Sequence, residues 1–325
     1  MKKLSVVIPC YRSEATLDTV VDEVIRSLET RATEYEYEIV LVNDGSPDRS
    51  WEVIERLVEK NSHVLGINLA KNFGQHSAIL AGFNYCTGDY VVAMDDDGQT
   101  PADELYTLVD KLETGYDVVY AQYDKMRQRF YRRWGSDFTR RMSDYMFDVH
   151  GQSFYTGSYF VARRFIIEEI IRYRNCFPYL GGLVLRTTRN IGYVTIKHRE
   201  RMQGKSGYTL RRLVSLWVNG FTAFSVKPLE ISAYIGVTMA ILAFIYAILI
   251  VIRRLFIPSL AAVIPYGWSS LTAIVLFIGG LVLVNMGLMG EYLGRIYMCI
   301  NNSPQYVIKS VISQKEPEKE KPRKD

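Results

Sequence analysis

The sequence predicts an α/β domain with a mostly parallel sheet, followed by two membrane-spanning helices. Three observations carry this. Short β-branched runs alternate with amphipathic helical patterns through residues 4–120, and two long runs without a formal charge follow at 231–252 and 269–290. An acidic triplet, Asp95-Asp96-Asp97, closes an apolar strand at the edge where such sheets hold ligands.

Strands are expected at 4–10, 38–42, 64–70, 90–94 and 117–120. After the first, Leu17, Val20, Val21, Val24, Ile25 and Leu28 recur at helical spacing, so that helix buries one face. Ser46-Pro47 reads as the N-cap and first residue of the next helix, ahead of Trp51, Ile54, Leu57 and Val58. Loops leaving the carboxyl ends of parallel strands line the crevice. Pro9-Cys10-Tyr11, Asn43-Asp44-Gly45-Ser46, Asn72-Phe73-Gly74-Gln75 and the acidic triplet therefore share one rim.

The mean hydropathy near zero averages two unlike parts, a mixed-charge stretch to about Lys227 and an apolar one after it. Each uncharged run is about 20 residues long, enough to cross a hydrocarbon core about 30 Å thick. Both are apolar around the whole circumference, unlike a helix pair on a soluble core. Arg211, Arg212 and Lys227 precede the first run, and Arg295 and Lys309 follow the second. Arg253-Arg254 between them argue the other way. Both termini are expected inside, giving a multi-pass protein of the cytoplasmic (inner) membrane with its first domain in the cytoplasm.

The expected plan is an α/β domain at 1–208, a juxtamembrane amphipathic helix at 209–230, a two-helix transmembrane hairpin at 231–295 and a cytoplasmic tail at 296–325. From 314 onward the tail alternates Lys and Glu with two prolines and is expected to be disordered. At 325 residues the chain has room for one sizeable core and an appendage. Cys10, Cys86, Cys176 and Cys299 form no C-x-x-C pair and read as reduced thiols. The apolar run after Met1-Lys2-Lys3 is too short for a signal-peptide core.

Three carboxylates at one strand end raise each other's pKa unless a cation sits among them. Oxygens from Asp95, Asp97 and Gln99 suit Mg²⁺ or Mn²⁺, hard ions that keep waters and take further ligands from substrate phosphates. A D-x-D by itself is common and more often a solvated acidic turn than a metal site, so the surrounding motifs decide.

Those motifs are Val6-Val-Ile-Pro-Cys-Tyr11, Val42-Asn-Asp-Gly-Ser-Pro-Asp48, Asn72-Phe-Gly-Gln-His-Ser-Ala-Ile-Leu-Ala-Gly82 and Met94-Asp-Asp-Asp-Gly-Gln-Thr-Pro101. In this order and spacing the chain resembles the family 2 glycosyltransferases of the GT-A fold. Arg199-Glu-Arg-Met-Gln-Gly-Lys-Ser-Gly-Tyr208, followed by two apolar runs, resembles the polyisoprenyl-phosphate glycosyltransferases. That group includes dolichol-phosphate mannose synthases and bacterial undecaprenyl-phosphate sugar transferases. The likeness covers nearly the whole chain apart from the charged tail.

The resemblance implies a metal-dependent enzyme, with Mg²⁺ or Mn²⁺. It would move a sugar from a nucleotide-sugar, UDP by frequency among bacterial relatives, to a polyprenyl phosphate such as undecaprenyl phosphate, in cell-envelope glycan or lipid modification. It implies that Pro9, Tyr11 and Asp44 line the nucleoside pocket, with Asn72, Gly74 and Gln75 shaping its floor. Tyr11 as packing and Asp44 as a helix cap stay open beside that role. Asp95, Asp97 and Gln99 match the metal-binding D-x-D-x-Q, and Asp95 and Asp96 face the donor. Arg201 matches the basic residue on the donor diphosphate, with Ser206 and Tyr208 in its loop. Asp95, Asp97 and Arg201 would carry the catalysis. Homotetramers are known among relatives.

The chain departs from the family in three places. Pro-x-Tyr-Asn-Glu reads Pro9-Cys-Tyr-Arg-Ser13 here, with Glu14 one place late. Gly-x-Ser-Lys-Tyr reads Gly204-Lys-Ser-Gly-Tyr208, the lysine having moved to Lys205. Some relatives carry an acid in the segment equivalent to 154–159, where this chain has none. A phosphate monoester, with its second pKa near ~6, is already largely dianionic at neutral pH and needs no general base. Direct displacement by it would invert the anomeric centre.

Arg127, Arg129, Arg132, Arg133 and Arg140 interleave with Phe130, Tyr131, Trp134 and Phe138. This basic, aromatic pattern fits an interfacial helix at anionic lipid, with Arg127, Arg129, Arg132 and Arg133 as candidates for the lipid phosphate. A solvated helix face or a nucleic-acid patch would account for the charges but leave the aromatics without a role, and no nucleic-acid partner is expected. His76 and His198 read as structural or as helix-end hydrogen bonders, since no triad or metal partner sits at the right spacing.

Two other readings compete. A processive polysaccharide synthase would carry Gln-x-x-Arg-Trp, but Arg133-Trp134 has Phe130 at the glutamine position and Gln128 two residues off. A non-catalytic membrane scaffold on a degenerate GT-A fold would have no need of Asp95, Asp97 and Gln99.

Overall fold

The computed structural model describes residues 1–123, 156–196, 227–256 and 267–314. They fall into two compact units, Met1–Leu213 with Asn302–Asp325, and Val214–Asn301.

The first unit is built on an eight-stranded sheet in the order β7-β5-β6-β4-β1-β2-β3-β8. Its strands are β1 (Lys2–Cys10), β2 (Tyr35–Asn43), β3 (Val64–Leu69), β4 (Tyr90–Ala93), β5 (Val118–Tyr123), β6 (Phe160–Arg163), β7 (Ile191–Ile196) and β8 (Ile308–Ser313). The five expected strands are all present. β1 runs parallel to β2 and β4, β2 to β3, and β5 to β7. β6 is antiparallel to β4 and β5, and β8 to β3, so the sheet is mixed rather than simply parallel. β1 is buried from Leu4 to Cys10, which is why its residues read as one continuous apolar run instead of an alternation.

Helices α1 (Leu17–Glu29), α2 (Ser50–Lys60), α3 (Gln75–Phe83) and α4 (Leu105–Glu113) follow the first four strands. α1 buries Leu17, Val20, Val21, Val24 and Leu28, the stripe expected from its spacing. Burying one such side chain contributes roughly 1.5–3 kcal/mol. The exposed Asp18–Arg56 ion pair between α1 and α2, at 3.2 Å, belongs to a class worth roughly 0–1 kcal/mol. Apolar stripes, not surface charges, therefore dock these helices. The helix start expected at Ser46-Pro47 is corrected: α2 begins at Ser50. The Ser46 hydroxyl is engaged elsewhere, donating to Asp48 and accepting from Arg12 N–H at 2.8 Å, while Asp48 Oδ1 takes Ser50 N–H at 3.2 Å.

α5 (Arg164–Ile171) and α6 (Leu180–Thr187) lie between β6 and β7. Within the expected tail at 296–325, residues 308–313 form β8, a strand not foreseen there. Val311 sits opposite Ile67, Ala70 N–H donates to Val307 O at 2.8 Å, and Ile312 packs against the core. An open β3 edge would leave ladder groups unpaired, and β8 closes it. Cys10 and Cys86 are buried free thiols, with no disulfide among the described cysteines.

The second unit contains α7 (Lys227–Phe256) and α8 (Gly267–Ile300). Large apolar side chains lie bare along both, including Phe244, Leu283, Val284 and Ile300, each about 70 % exposed. Of the two expected spans, one described stretch, Phe277–Ile300, is long and apolar enough to cross a membrane, while Ile231–Tyr246 is a shorter apolar stretch. Glu291 and Arg295 fall inside the longer one as an i,i+4 pair, the guanidinium donating to Glu291 Oε1 at 2.7 Å. The amphipathic helix expected at 209–230 lies outside the described residues up to 226, and α7 already begins at Lys227.

Candidate functional site at the carboxyl edge of the sheet

β1, β2, β3 and β4 deliver their loops to one rim. Pro9 pairs with Val42 at the ends of β1 and β2, and Tyr11 beyond it is 41 % exposed. Arg12 has φ +59°, an uncommon conformation for a residue with a side chain, and its guanidinium lies 5.6 Å from the Tyr11 ring centre. Asn43 Nδ2 donates to Asn68 Oδ1 at 2.9 Å in the interior. Gly45, at φ +58°, lets the β2 loop touch the next one, since a Cβ there would stand 2.3 Å from the Lys71 carbonyl carbon.

Asp44 is buried, and its two oxygens accept Phe73 N–H at 2.7 Å and Gly74 N–H at 2.9 Å. Burial pushes its carboxyl up, against the pull of those two bonds. Its structural work is thus at the entrance of α3, not at α2, and it holds the Asn72–Gln75 loop against the rim. Asn72 itself is exposed.

The triplet divides its labour. Asp95 Oδ1 accepts the Gln75 amide at 2.6 Å and Oδ2 accepts the Ser158 hydroxyl at 2.5 Å. Asp96 Oδ2 accepts Tyr11 N–H at 3.0 Å and the Ser13 hydroxyl, and its carbonyl accepts Thr16 Oγ1 at 2.9 Å. Asp96, expected to face the donor, therefore ties the β4 end to the loop after β1. Ser13 stands where the family motif carries its acid, so that departure and the Asp96 contact belong together. Glu14 does not replace the missing acid at the rim: its Oε2 accepts Arg49 N–H at 2.9 Å ahead of α2. Asp97 Oδ1 accepts Gln99 N–H at 3.1 Å, which keeps those two residues side by side.

Burial pushes the Asp95 carboxyl up to about 6; the Asp97 and Asp96 charges add to this, and the bonds from Ser158 and Gln75 oppose it. Asp96 is pushed up as well, chiefly by burial. A cation beside Asp95 and Asp97 would relieve this crowding. Among the described residues no group of three or more His, Cys, Asp or Glu side chains converges as a metal cage. Carboxylate and amide oxygens of the kind Asp95, Asp97 and Gln99 carry are the hard donors that Mg²⁺ or Mn²⁺ takes beside water and phosphate.

Arg201 and Ser206 lie outside the described residues, as do Arg127, Arg129, Arg132 and Arg133. In the sequence Ser13 stands out only as a departure from the family motif, and Ser158 not at all. Nothing local marks Ser158; it reaches Asp95 because β6 pairs antiparallel with β4.

Residues 5–171 match the family described as glycosyl transferase family 2. The chain belongs to that family. This family 2 chain is 34 % identical over 322 residues to the undecaprenyl-phosphate 4-deoxy-4-formamido-L-arabinose transferase of Proteus mirabilis (strain HI4320), covering 98 % of this chain and 97 % of that one. The enzyme of the same name from Yersinia pestis (strain Pestoides F) is 34 % identical over 325 residues, covering 98 % and 96 %. Both relatives are polyprenyl-phosphate glycosyltransferases. Among solved structures, glucosyl-3-phosphoglycerate synthase from Mycobacterium tuberculosis in complex with Mn²⁺, UDP and phosphoglyceric acid superposes with a TM-score of 0.50 at 19 % identity, covering 67 % of this chain and 75 % of that one. At that identity the likeness concerns the fold, a GT-A-like α/β sheet.

Proposed function

We propose that this family 2 member transfers a sugar from a UDP-sugar to undecaprenyl phosphate, with inversion, at the cytoplasmic face of the membrane. The observation that carries the proposal is the carboxylate pair Asp95 and Asp97 at the end of β4, held by Gln75, Ser158 and Gln99, on a chain similar over its whole length to undecaprenyl-phosphate sugar transferases. The sugar named in those relatives makes UDP-4-deoxy-4-formamido-L-arabinose the first donor to test.

Asp95, Asp97 and Gln99 would hold a Mg²⁺ or Mn²⁺ ion, which supplies positive charge to the departing nucleoside diphosphate. Gln75 and Ser158 fix both Asp95 oxygens, so the carboxylate keeps one orientation without reorganising. Arg201 is the proposed second cation on the leaving diphosphate. The acceptor phosphate is dianionic at neutral pH, so no side chain need take a proton from it, in keeping with the absence of an acid in 154–159. What remains for the protein is alignment of the phosphate oxygen with the anomeric carbon.

α7 and α8 are proposed to cross the bilayer as a hairpin, with Arg127, Arg129, Arg132 and Arg133 receiving the lipid phosphate. The test incubates purified protein with undecaprenyl phosphate, Mg²⁺ or Mn²⁺ and a panel of UDP-sugars, and identifies the lipid product by mass and anomeric configuration. Retention of configuration would exclude direct displacement. The absence of any glycolipid with every donor would favour a non-catalytic scaffold.

A further inference from the structure

Close in sequence to the two side chains that hold Asp95 stand residues that the transfer reading does not use. His76 directly follows Gln75, whose amide donates to Asp95 Oδ1, and Thr156 stands two residues before Ser158, whose hydroxyl donates to Asp95 Oδ2. Tyr179, just ahead of α6, joins the two. Its ring meets His76 edge-on, with centres 5.3 Å apart and planes at 86°, and its hydroxyl lies 3.5 Å from Thr156 Oγ1. Three segments far apart in sequence thus meet, and two of them also reach Asp95, through Gln75 and Ser158.

His76 Nδ1 is shut off from solvent and makes no hydrogen bond. A buried polar atom left unpaired costs roughly 1–3 kcal/mol, and such atoms call for a physical reason. Burial also pushes the imidazole down to about 4, so at neutral pH the ring is uncharged and offers one donor and one acceptor. Thr156 is held in place by close packing: at Gly181, in the first turn of α6, a Cβ would stand 2.8 Å from Thr156 Oγ1 and 2.9 Å from its Cβ. Imidazole, phenol and hydroxyl here are neutral groups with apolar bodies. That chemistry suits the hydroxyl, amide and C–H surface of a sugar, whereas a phosphate is drawn by charge.

We infer that His76, Thr156 and Tyr179 form the part of the donor site that reads the sugar, with His76 Nδ1 hydrogen-bonding a neutral polar substituent on its ring. The inference rests on the proposed transfer from a UDP-sugar and adds the residues that select the sugar. The nucleotide and diphosphate are left to the rim around Tyr11 and Asp97. His76 thereby moves from a structural residue to a specificity-determining one.

The experiment compares wild type, His76→Phe, His76→Asn and Gly181→Ala by calorimetry, without lipid, using UDP and then UDP-4-deoxy-4-formamido-L-arabinose and UDP-glucose. Phe keeps the ring packed on Tyr179 but removes both nitrogens, Asn returns an amide near Nδ1, and Ala at 181 presses first on Thr156, which supplies its three nearest atoms. For His76→Phe, UDP affinity is expected to stay within about twofold while affinity for the preferred UDP-sugar falls roughly tenfold, the change one lost hydrogen bond brings. His76→Asn should recover part of the loss, and Gly181→Ala should shift the preference between the two sugars. Equal losses for UDP and UDP-sugar, or an unchanged sugar preference in both His76→Phe and Gly181→Ala, would overturn the inference. Because binding is read without acceptor, a protein that binds a UDP-sugar but transfers nothing would sink the proposed reaction and leave this result standing.

Discussion

Asp96 and Asp97 are adjacent, yet their carboxylates serve different ends. Removing Asp96 strands the Tyr11 N–H and the Ser13 hydroxyl that it accepts. Asp96→Ala is therefore expected to cost about 1–3 kcal/mol of stability, read as a lowered melting temperature. Asp97→Ala takes away a proposed ion ligand and should leave the fold intact while sugar transfer drops on the order of 10²-fold or more. If Asp97→Ala kept full transfer, the site would have to be sought elsewhere. His76 makes one contribution to the pH dependence, opposed over much of the same range by Asp95, whose carboxyl is pushed up to about 6. The imidazole pKa is lowered from 6.5 to about 4 on folding, so at this group the unfolded chain binds more protons between those values. Its contribution to stability is complete above pH 6.5 and is lost as pH falls toward 4. Thermal melts from pH 7 to 4 should show a shallower loss in His76→Phe than in wild type, and superimposable pH profiles would contradict the neutral buried ring.

Among the elements, β8 has the clearest consequence. It closes the β3 edge from the far end of the chain, and Ile312 sits over Gly66, where a Cβ would meet its Cγ1 at 2.9 Å. Ile312→Ala is expected to destabilise the first unit by about 1–2 kcal/mol, below the roughly 2–5 kcal/mol of a full core truncation because the side chain is only partly buried. Truncation after Asn301 should do more, baring the β3 edge and promoting aggregation, which light scattering would detect. The misplaced start of α2 teaches the same lesson on a smaller scale. Ser46-Pro47 has the composition of a helix entrance, but the Ser46 hydroxyl is claimed by Arg12 N–H from another loop. A propensity read along the chain has no knowledge of that competitor.

For the molecule as a whole, the sheet imposes a parity rule on the proposed membrane hairpin. The chain leaves the first unit at Leu213 and rejoins it at Asn302, where β8 enters the sheet. Whatever crosses a bilayer between those points must cross an even number of times. If Phe277–Ile300 spans, α7 must span too, despite its shorter apolar stretch. A cysteine placed between α7 and α8 should then react with an impermeant maleimide from the face opposite to cysteines at either terminus. Labelling of all three from one face would exclude the hairpin.

By itself the sequence determined the first five strands, the buried stripes of α1 and α2, the rim of loops and the Asp95–Asp97 cluster. These are local patterns: side-chain periodicity and turn residues act over a few neighbours, and the motif spacing carries the family likeness. Tertiary structure decided that β6 and β8 run antiparallel, that Ser158 orients Asp95, that Asp96 serves the loop after β1, and that His76 meets Tyr179. Each of those depends on which distant segment arrives opposite, a choice made by the packing of the whole core and written in no single stretch of chain.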